Sequence, residues 1–185
     1  MKYGKVLPYV FFVVLAVSLV LLNNSSLKKD YAVDLVSTNT EKSLAREIVR
    51  ILRVIDGDTI EVWINNKEEA IRLIGIDAPE TVDPRKPVQC FGKEAGNKTK
   101  EMLGNQIVKL VSDSTQGNRD KYGRLLRYVF LNGVNFNKLM ISQGFAHEYT
   151  HLNNPYQYQS EFKNAEKEAR RKKIGLWSEI SKCYN

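Results

Sequence analysis

Partial alternation of apolar and polar residues marks two consecutive segments in the middle of the chain. EIVRILRVID and TIEVWI are rich in β-branched and apolar residues, and EEAIRLIGI follows TIEVWI after the turn-forming residues NNK. This pattern predicts strands joined as a β-hairpin. A turn centred near Asn66 places Ile60 opposite Arg72 and Asp58 opposite Ile74, so that Asp58 and Arg72 become neighbours.

The remaining patterns predict two more strands and three helices. QIVKLVS and RLLRYVFL are typical of strands, and they flank the polar loop DSTQGNRDKYG. FGKEAGNKTKEML has helical spacing and ends at Gly104, VNFNKLMISQG predicts a short helix ending at Gly144, and a third helix is expected from Tyr158 to Lys173. About five short strands with helices inserted late predict an α+β fold, a five-stranded OB-fold β-barrel with about three packed α-helices.

An uncharged apolar segment precedes these elements. It runs from Val6 to Leu27, with Lys2 and Lys5 before it and Lys28 and Lys29 after it. A helix of this length measures about 33 Å, enough to cross a bilayer core. A retained transmembrane anchor and a cleavable signal peptide are both compatible with the pattern, and the lack of a small-x-small cleavage site favours the anchor. In either case we expect the rest of the chain to lie outside the cytoplasm.

Composition divides the chain into three parts. Residues 1–27 form the anchor or signal peptide, residues 28–42 form a polar linker, and residues 43–185 form the globular domain. The whole chain carries a net charge of +7, and residues 43–185 retain 23 basic and 18 acidic residues, or +5. A modest positive charge is compatible with an anionic partner and equally with ordinary solubility.

The chain contains two cysteines, Cys90 and Cys183. They are too few to form a zinc ligand set of their own. A single disulfide is the natural interpretation in an exported domain, and two unpaired buried thiols are the alternative.

Polar residues that a core does not require occur in a characteristic order. The segments VIDGDT, RLIGIDAPET, FGKEA, DKYGR, QG and GLW follow one another between about Ile48 and Ser178. In this order and spacing they resemble the thermonuclease family, the staphylococcal nuclease-like enzymes. The resemblance implies an OB-fold domain and a phosphodiesterase, and it covers nearly the whole expected globular part.

The resemblance implies a calcium site. Asp58 and Asp77 are hard oxygen donors that suit calcium, with the backbone carbonyl of Ala78 as a further ligand and Asp56 acting through water. The best-known member of the family has threonine in place of Ala78, so a hydroxyl contact is lost here while the backbone ligand is kept. Magnesium demands stricter octahedral geometry and is expected to fit less well.

Three further residues take catalytic roles in this resemblance. Glu80 corresponds to the general base that activates the attacking water. Arg72 and Arg124 present planar forks of donors to phosphate oxygens, where negative charge grows in the transition state.

Substrate binding involves a separate group of residues. Lys121 and Tyr122 resemble a pair that holds a terminal phosphate. Tyr149 offers a surface for stacking a base, and Thr59 is expected to orient its neighbours. The implied reaction is hydrolysis of the 5′ P–O bond in DNA and RNA, which leaves 3′-phosphate ends with little sequence preference. We expect a monomer that meets the membrane through its N-terminal helix and has no protein partner.

Two other function classes need to be weighed. HEYTH, with His147, Glu148 and His151, matches the pattern of zinc metalloproteases, but Gly144 before it and NNP after it leave little room for the helix that such a site requires. A non-catalytic OB-fold module that binds nucleic acid is the second alternative. The presence of a complete catalytic set argues against it.

Overall fold

In the part of the chain that the structure describes, five long strands and three helices account for most of the regular structure. The computed structural model describes residues 46–81, 87–181 and 183. The anchor or signal segment, residues 1–27, and the linker, residues 28–42, lie outside these ranges. The elements in chain order are β1 (Arg46–Val54), β2 (Thr59–Ile64), β3 (Lys67–Leu73), β4 (Ile76–Asp77), α1 (Gly92–Leu103), β5 (Ile107–Val111), β6 (Leu125–Leu131), β7 (Val134–Asn135), α2 (Phe136–Ser142), β8 (His147–Glu148) and α3 (Gln159–Arg171).

The five long strands form a closed barrel. β2 pairs antiparallel with β1 and β3, β5 pairs antiparallel with β1 and β6, and a parallel pairing of β3 with β6 completes the ring. The inward side chains are almost fully buried, as the barrel interior must be filled by apolar groups: Ile60, Val62, Ile71, Leu73, Val108, Leu110 and Val129. The expected five-stranded OB-type barrel with three helices is therefore confirmed. None of the helices within the described ranges is long and apolar enough to cross a membrane.

The hairpin of β2 and β3 has a register one residue away from the predicted one. Thr59, not Ile60, lies opposite Arg72, because the turn is centred between Asn65 and Asn66. Both asparagines have positive φ, at 51° and 61°, as a tight two-residue hairpin turn requires. The backbone N–H of Leu73 donates to the carbonyl of Asp58 at 2.9 Å, so the pairing continues to the rim of the barrel.

Helix α1 packs across the turn between β1 and β2. Its buried face consists of Ala95, Thr99 and Leu103, together with Gly92 at its start. The hydroxyl of Thr99 donates to the carbonyl of Gly57 at 3.0 Å. An added Cβ at Gly57 would lie 2.5 Å from the Cβ of Ala78, so glycine is needed where these segments meet. This packing fixes the backbone that carries Asp56 and Asp58.

The tail of the domain is attached at two points. Gly144 and Gly175 meet so closely that a Cβ on either would collide with the other backbone, and the Leu176 N–H donates to the Gly144 carbonyl at 2.9 Å. Cys90 and Cys183 form a disulfide with their Cα atoms 5.6 Å apart. The segment preceding α1 is therefore covalently joined to the tail.

Candidate active site

One end of the barrel collects the polar residues that core packing does not require. Thr59 begins β2 and is paired with Arg72 near the end of β3, while Asp77 lies in β4 just beyond. Because β2 and β3 are antiparallel neighbours, the start of one and the end of the other share the same rim. The side chains of Asp58, Arg72 and Asp77 meet there.

Asp58 is the most enclosed acid of this group, with only 6% of its surface exposed. One carboxylate oxygen accepts the N–H of Ala78 at 2.8 Å, and the other accepts the hydroxyl of Thr59 at 3.1 Å. Nη2 of Arg72 lies 3.1 Å from the first of these oxygens. Asp58 thus connects the start of β2 with the segment that follows β4.

Arg72 is held rigidly beside both carboxylates. Its Nη1 donates to the backbone carbonyls of Leu73 and Ile76 at 2.8 and 2.7 Å, and its Nη2 donates to Asp77 at 3.0 Å. The predicted neighbours Asp58 and Arg72 are therefore in contact, although the register that suggested it was wrong. One end of the guanidinium is used by the protein, and Nη2 points to the place where the carboxylates converge.

The acidic residues raise one another's proton affinity. The pKa of Asp56 is raised to about 6, first because the side chain is desolvated and then because Asp58 is close. The pKa of Asp77 is also raised, by desolvation first and with Arg72 opposing, although more than half of its side chain is exposed. The charge of Glu80 acts in the same direction on both. A concentration of negative charge of this kind is favourable for a bound cation.

The donor set fits a hard divalent cation only if water and substrate complete the coordination shell. Within residues 46–81, 87–181 and 183, no group of three or more His, Cys, Asp or Glu side chains is arranged to hold a metal. Asp58 and Asp77 are two carboxylates beside the backbone of Ala78, and Asp56 lies one layer behind, where it accepts the Asp58 N–H at 2.9 Å. Oxygen-only ligands with room for water and phosphate suit calcium or magnesium.

Two hydrogen bonds with Gln89 hold the backbone of Glu80 in place. Its N–H donates to the side-chain oxygen of Gln89 at 2.8 Å, and the Gln89 N–H donates to the Glu80 carbonyl at 2.9 Å. Its carboxylate accepts the N–H of Thr81 at 2.8 Å. An added Cβ at Gly92 would lie 3.0 Å from the Glu80 carbonyl and 2.6 Å from Thr81, so the first residue of α1 must be small to let this segment approach.

Arg124 reaches the same rim from the loop before β6. Its Nε donates to Asp120 at 2.7 Å, and its Nη1 donates to the Thr59 hydroxyl at 3.3 Å. Asp120 also accepts the backbone N–H groups of Tyr122 and Arg124, at 2.9 and 3.0 Å. Asp120 was not among the predicted site residues, although aspartate at the start of DKYG is typical of a side chain that closes its own turn.

The residues predicted to bind substrate are exposed. Nζ of Lys121 lies 5.0 Å from the ring centre of Tyr122, and the Arg124 guanidinium lies 5.4 Å from it, so the ring has cations beside it. Tyr122 is 71% exposed. Tyr149 is partly exposed as well, and its hydroxyl is 2.9 Å from Nδ1 of His151.

An ion pair that the sequence analysis missed fixes the DKYGR loop to the barrel. Arg119 donates to both carboxylate oxygens of Glu69 at 2.8 and 2.7 Å and also to the Gly123 carbonyl. Glu69 lies in β3 and is 8% exposed, and Arg119, with Lys67, lowers its pKa to about 2. No local pattern indicates this pair, because its members are 50 positions apart.

The protease-like motif does not form the helix that its zinc site requires. His147 and Glu148 lie in strand β8, paired with β4, whereas His151 begins a single 3₁₀ turn. His147 contacts Glu166 at 3.4 Å, and Glu148 accepts hydrogen bonds from Thr150 and Tyr156. The two histidines therefore do not share a helical face, and the metalloprotease alternative is wrong.

The sequence also matches a known family. The family model described as staphylococcal nuclease homologue matches residues 70–179. The thermonuclease of Staphylococcus hyicus is 43% identical over 129 residues, 70% of this chain and 75% of that protein. The thermonuclease of Staphylococcus intermedius is 43% identical over 127 residues, 69% and 74% of the two chains, and endonuclease YncB of Bacillus subtilis is 36% identical over 138 residues, 74% and 64%. With this barrel and this rim, the chain belongs to the staphylococcal nuclease family.

Proposed function

We propose that the chain is a calcium-dependent nuclease that hydrolyses phosphodiester bonds of DNA and RNA outside the cytoplasm. It leaves 3′-phosphate ends and has little sequence preference. The observation that carries this proposal is the meeting of Asp58 and Asp77 with Arg72 at one rim, where Nη2 lies 3.1 and 3.0 Å from the two carboxylates. Relatives named thermonuclease and endonuclease support the reaction class.

The chain's own residues divide the work of phosphodiester hydrolysis. Asp58, Asp77 and the carbonyl of Ala78 would hold calcium, which when bound neutralises phosphate charge and favours a water molecule as nucleophile. Glu80 accepts a proton from the attacking water. Arg72 and Arg124 donate to the phosphate oxygens as their charge increases, and both are already oriented by hydrogen bonds to the protein.

Weak sequence preference follows from the same groups. Guanidinium, ammonium and metal contacts recognise phosphate, which is identical in every nucleotide. Lys121 and the face of Tyr122 add charge and stacking without reading base edges. Both DNA and RNA are therefore suitable substrates.

Hydrolysis assays with the full-length chain test the proposal. Single-stranded DNA and RNA should be cut with calcium present, and excess chelator should stop the reaction. Glu80→Gln should abolish hydrolysis while the protein still binds the oligonucleotide. Cleavage that persisted in chelator, or that required zinc, would contradict the metal assignment, and binding by wild-type protein without cleavage would favour the non-catalytic module.

The location outside the cytoplasm, with residues 6–27 as an anchor and Lys2 and Lys5 inside, is also our proposal. Two observations support it, the uncharged apolar segment and the disulfide between Cys90 and Cys183, since disulfides persist in oxidising compartments. Fractionation of cells that express the full chain, followed by protease treatment of spheroplasts, tests it. A domain protected in the cytosol would refute export, and a soluble secreted form starting near Asn24 to Lys28 would replace the anchor by a signal peptide.

A further inference from the structure

We propose that a groove beside α1, called the α1 groove, binds the part of a polynucleotide strand that extends away from the scissile phosphate on the side opposite Lys121 and Tyr122. The groove is a cavity of about 230 Å³ between the end of β1, Thr81 and the side of α1 that carries Lys93, Gly96, Asn97 and Lys100. The proposal rests on the proposed nuclease function and names a second binding region for its substrate.

The α1 groove adjoins the catalytic residues. Ile55 and Thr81 line it, and they directly precede Asp56 and follow Glu80 in the chain. Along the rim, β1 borders the groove, the turn from β1 to β2 carries Asp56 and Asp58, β3 carries Arg72, and β6 follows the DKYGR loop. A strand whose phosphate lies at Arg72 can therefore extend toward Lys121 in one direction and into the α1 groove in the other.

The charge of the groove suits a phosphate backbone. Lys93 and Lys100 are exposed, and among the described residues neither has a carboxylate within ion-pair distance, whereas Lys98 on another side of the helix pairs with Glu101. The carboxylates of α1 itself are not among the residues that line the cavity. The two lysines are seven positions apart, which is two helical turns and about 10 Å along the axis, so both face the groove and can reach different phosphates.

Gly96 supplies a second and independent indication. Glycine in a helix interior costs roughly 0.5–1 kcal/mol relative to alanine. Among the described residues, an added Cβ at Gly96 would meet nothing within 4 Å, so close packing in this part of the protein does not explain the residue. Its absent side chain leaves the helix backbone open on the floor of the groove, where a ligand can approach closely.

Binding measurements with the full-length chain in detergent micelles test the assignment. The probes are fluorescein-labelled phosphorothioate oligothymidylates of 3 and 12 nucleotides, which keep the negative charge and resist hydrolysis. Lys93→Ala/Lys100→Ala should weaken 12-mer binding about tenfold or more at 0.1 M salt and reduce the slope of log affinity against log salt by about 1.4, the value for two phosphate contacts. The 3-mer, which cannot occupy both regions, should lose much less affinity.

Two further variants distinguish binding in the α1 groove from a general effect of positive surface charge. Lys98→Ala/Lys163→Ala removes the same charge from positions outside the cavity and should keep the ratio of the two affinities. Gly96→Leu leaves the charge unchanged, fills the groove, and should weaken 12-mer binding selectively. The proposal is refuted by unchanged 12-mer affinity in the Lys93/Lys100 and Gly96 variants, or by an equal loss in the Lys98/Lys163 control. These measurements record binding without hydrolysis, so they test the groove even if the chain does not hydrolyse DNA. A failure to hydrolyse DNA would refute the proposed function and not the groove.

Discussion

Individual side chains at the rim are held by the protein before any substrate arrives. Arg72 uses Nη1 for two backbone carbonyls, and Arg124 uses Nε for Asp120, so each guanidinium keeps a fixed plane. Lysine could supply the charge at either position but not the fork of donors. Preorganised donors of this kind stabilise developing charge without a reorganisation cost.

Arg124→Lys should therefore lower kcat about 100-fold or more, because the contacts to Asp120 and Thr59 that orient the donors are lost together. Lys121→Ala should instead act mainly on KM, since that side chain is exposed and lies beside the ring of Tyr122. Steady-state kinetics on single-stranded DNA measure both. An Arg124→Lys variant with normal kcat and a raised KM would place Arg124 in binding alone.

Asp56→Asn should stabilise the protein in the absence of metal. The raised pKa of about 6 shows that the charged form of Asp56 is unfavourable in the folded state. Ionised Asp56 therefore lowers the free energy of unfolding at neutral pH, and this destabilisation disappears as pH falls from 6 toward 3.8. The asparagine oxygen can still accept the Asp58 N–H, and the gain at pH 7 should be roughly 1 to 3 kcal/mol. Urea unfolding with chelator measures it, and calcium should reduce the difference between variant and wild type. A variant less stable than wild type in chelator would contradict the prediction.

At the scale of elements, α1 and the DKYGR loop position the catalytic backbone. α1 supports the turn before β2 through the Thr99 contact with Gly57, and its first residue adjoins the segment that carries Glu80. The DKYGR loop is attached to β3 by the ion pair of Glu69 and Arg119. Each of these two attachments should have a measurable effect on stability.

Two glycines of the same helix should respond oppositely to alanine. Gly96→Ala should raise the free energy of unfolding by roughly 0.5 to 1 kcal/mol, because helix propensity improves and the new Cβ has no described atom within 4 Å. Gly92→Ala should lower it by roughly 1 to 3 kcal/mol, because its Cβ would lie 2.6 Å from a Thr81 carbon. Urea unfolding at neutral pH compares them. Equal effects at both positions would show that local propensity alone governs this helix.

The Glu69 ion pair should make stability depend on acid pH. The pKa of the Glu69 carboxyl is about 2 in the folded protein against an ordinary 4.5. The contribution of the pair to the free energy of unfolding is therefore complete above pH 4.5 and is lost as pH falls toward 2. The stability difference between wild type and Glu69→Gln should shrink over this range. Glu68→Gln, at the neighbouring exposed position, serves as the control. A difference between wild type and Glu69→Gln that does not change with pH would mean that the pair does not titrate in this way.

For the whole molecule, the disulfide connects parts of the domain that are 93 positions apart. Closing a loop of this length should contribute roughly 4 to 5 kcal/mol in the chain-entropy model. Urea unfolding with and without reductant measures it, and Cys90→Ser/Cys183→Ser should match the reduced protein and show no further response to reductant. Equal stability of oxidised and reduced wild type would contradict a stabilising role.

Local sequence patterns were enough to predict the number and type of the main elements and the motif residues that gather at the rim. Strand alternation and helical spacing are local properties, so β5, β6 and the three helices could be predicted from short segments. The carboxylates and arginines could be found because they occur in ordered motifs that packing does not require. The five-stranded barrel agreed with the prediction because the number of strands and their order along the chain were read correctly from these local patterns.

Which of these groups are in contact depends on how the chain folds in three dimensions. The register of β2 and β3 depended on both Asn65 and Asn66 adopting positive φ, and a shift of one residue changed every pairing. The pair of Glu69 and Arg119 forms because β3 and β6 adjoin where the barrel closes. Contacts between residues far apart in sequence depend on how strands close and helices pack, and no short window of sequence contains that information.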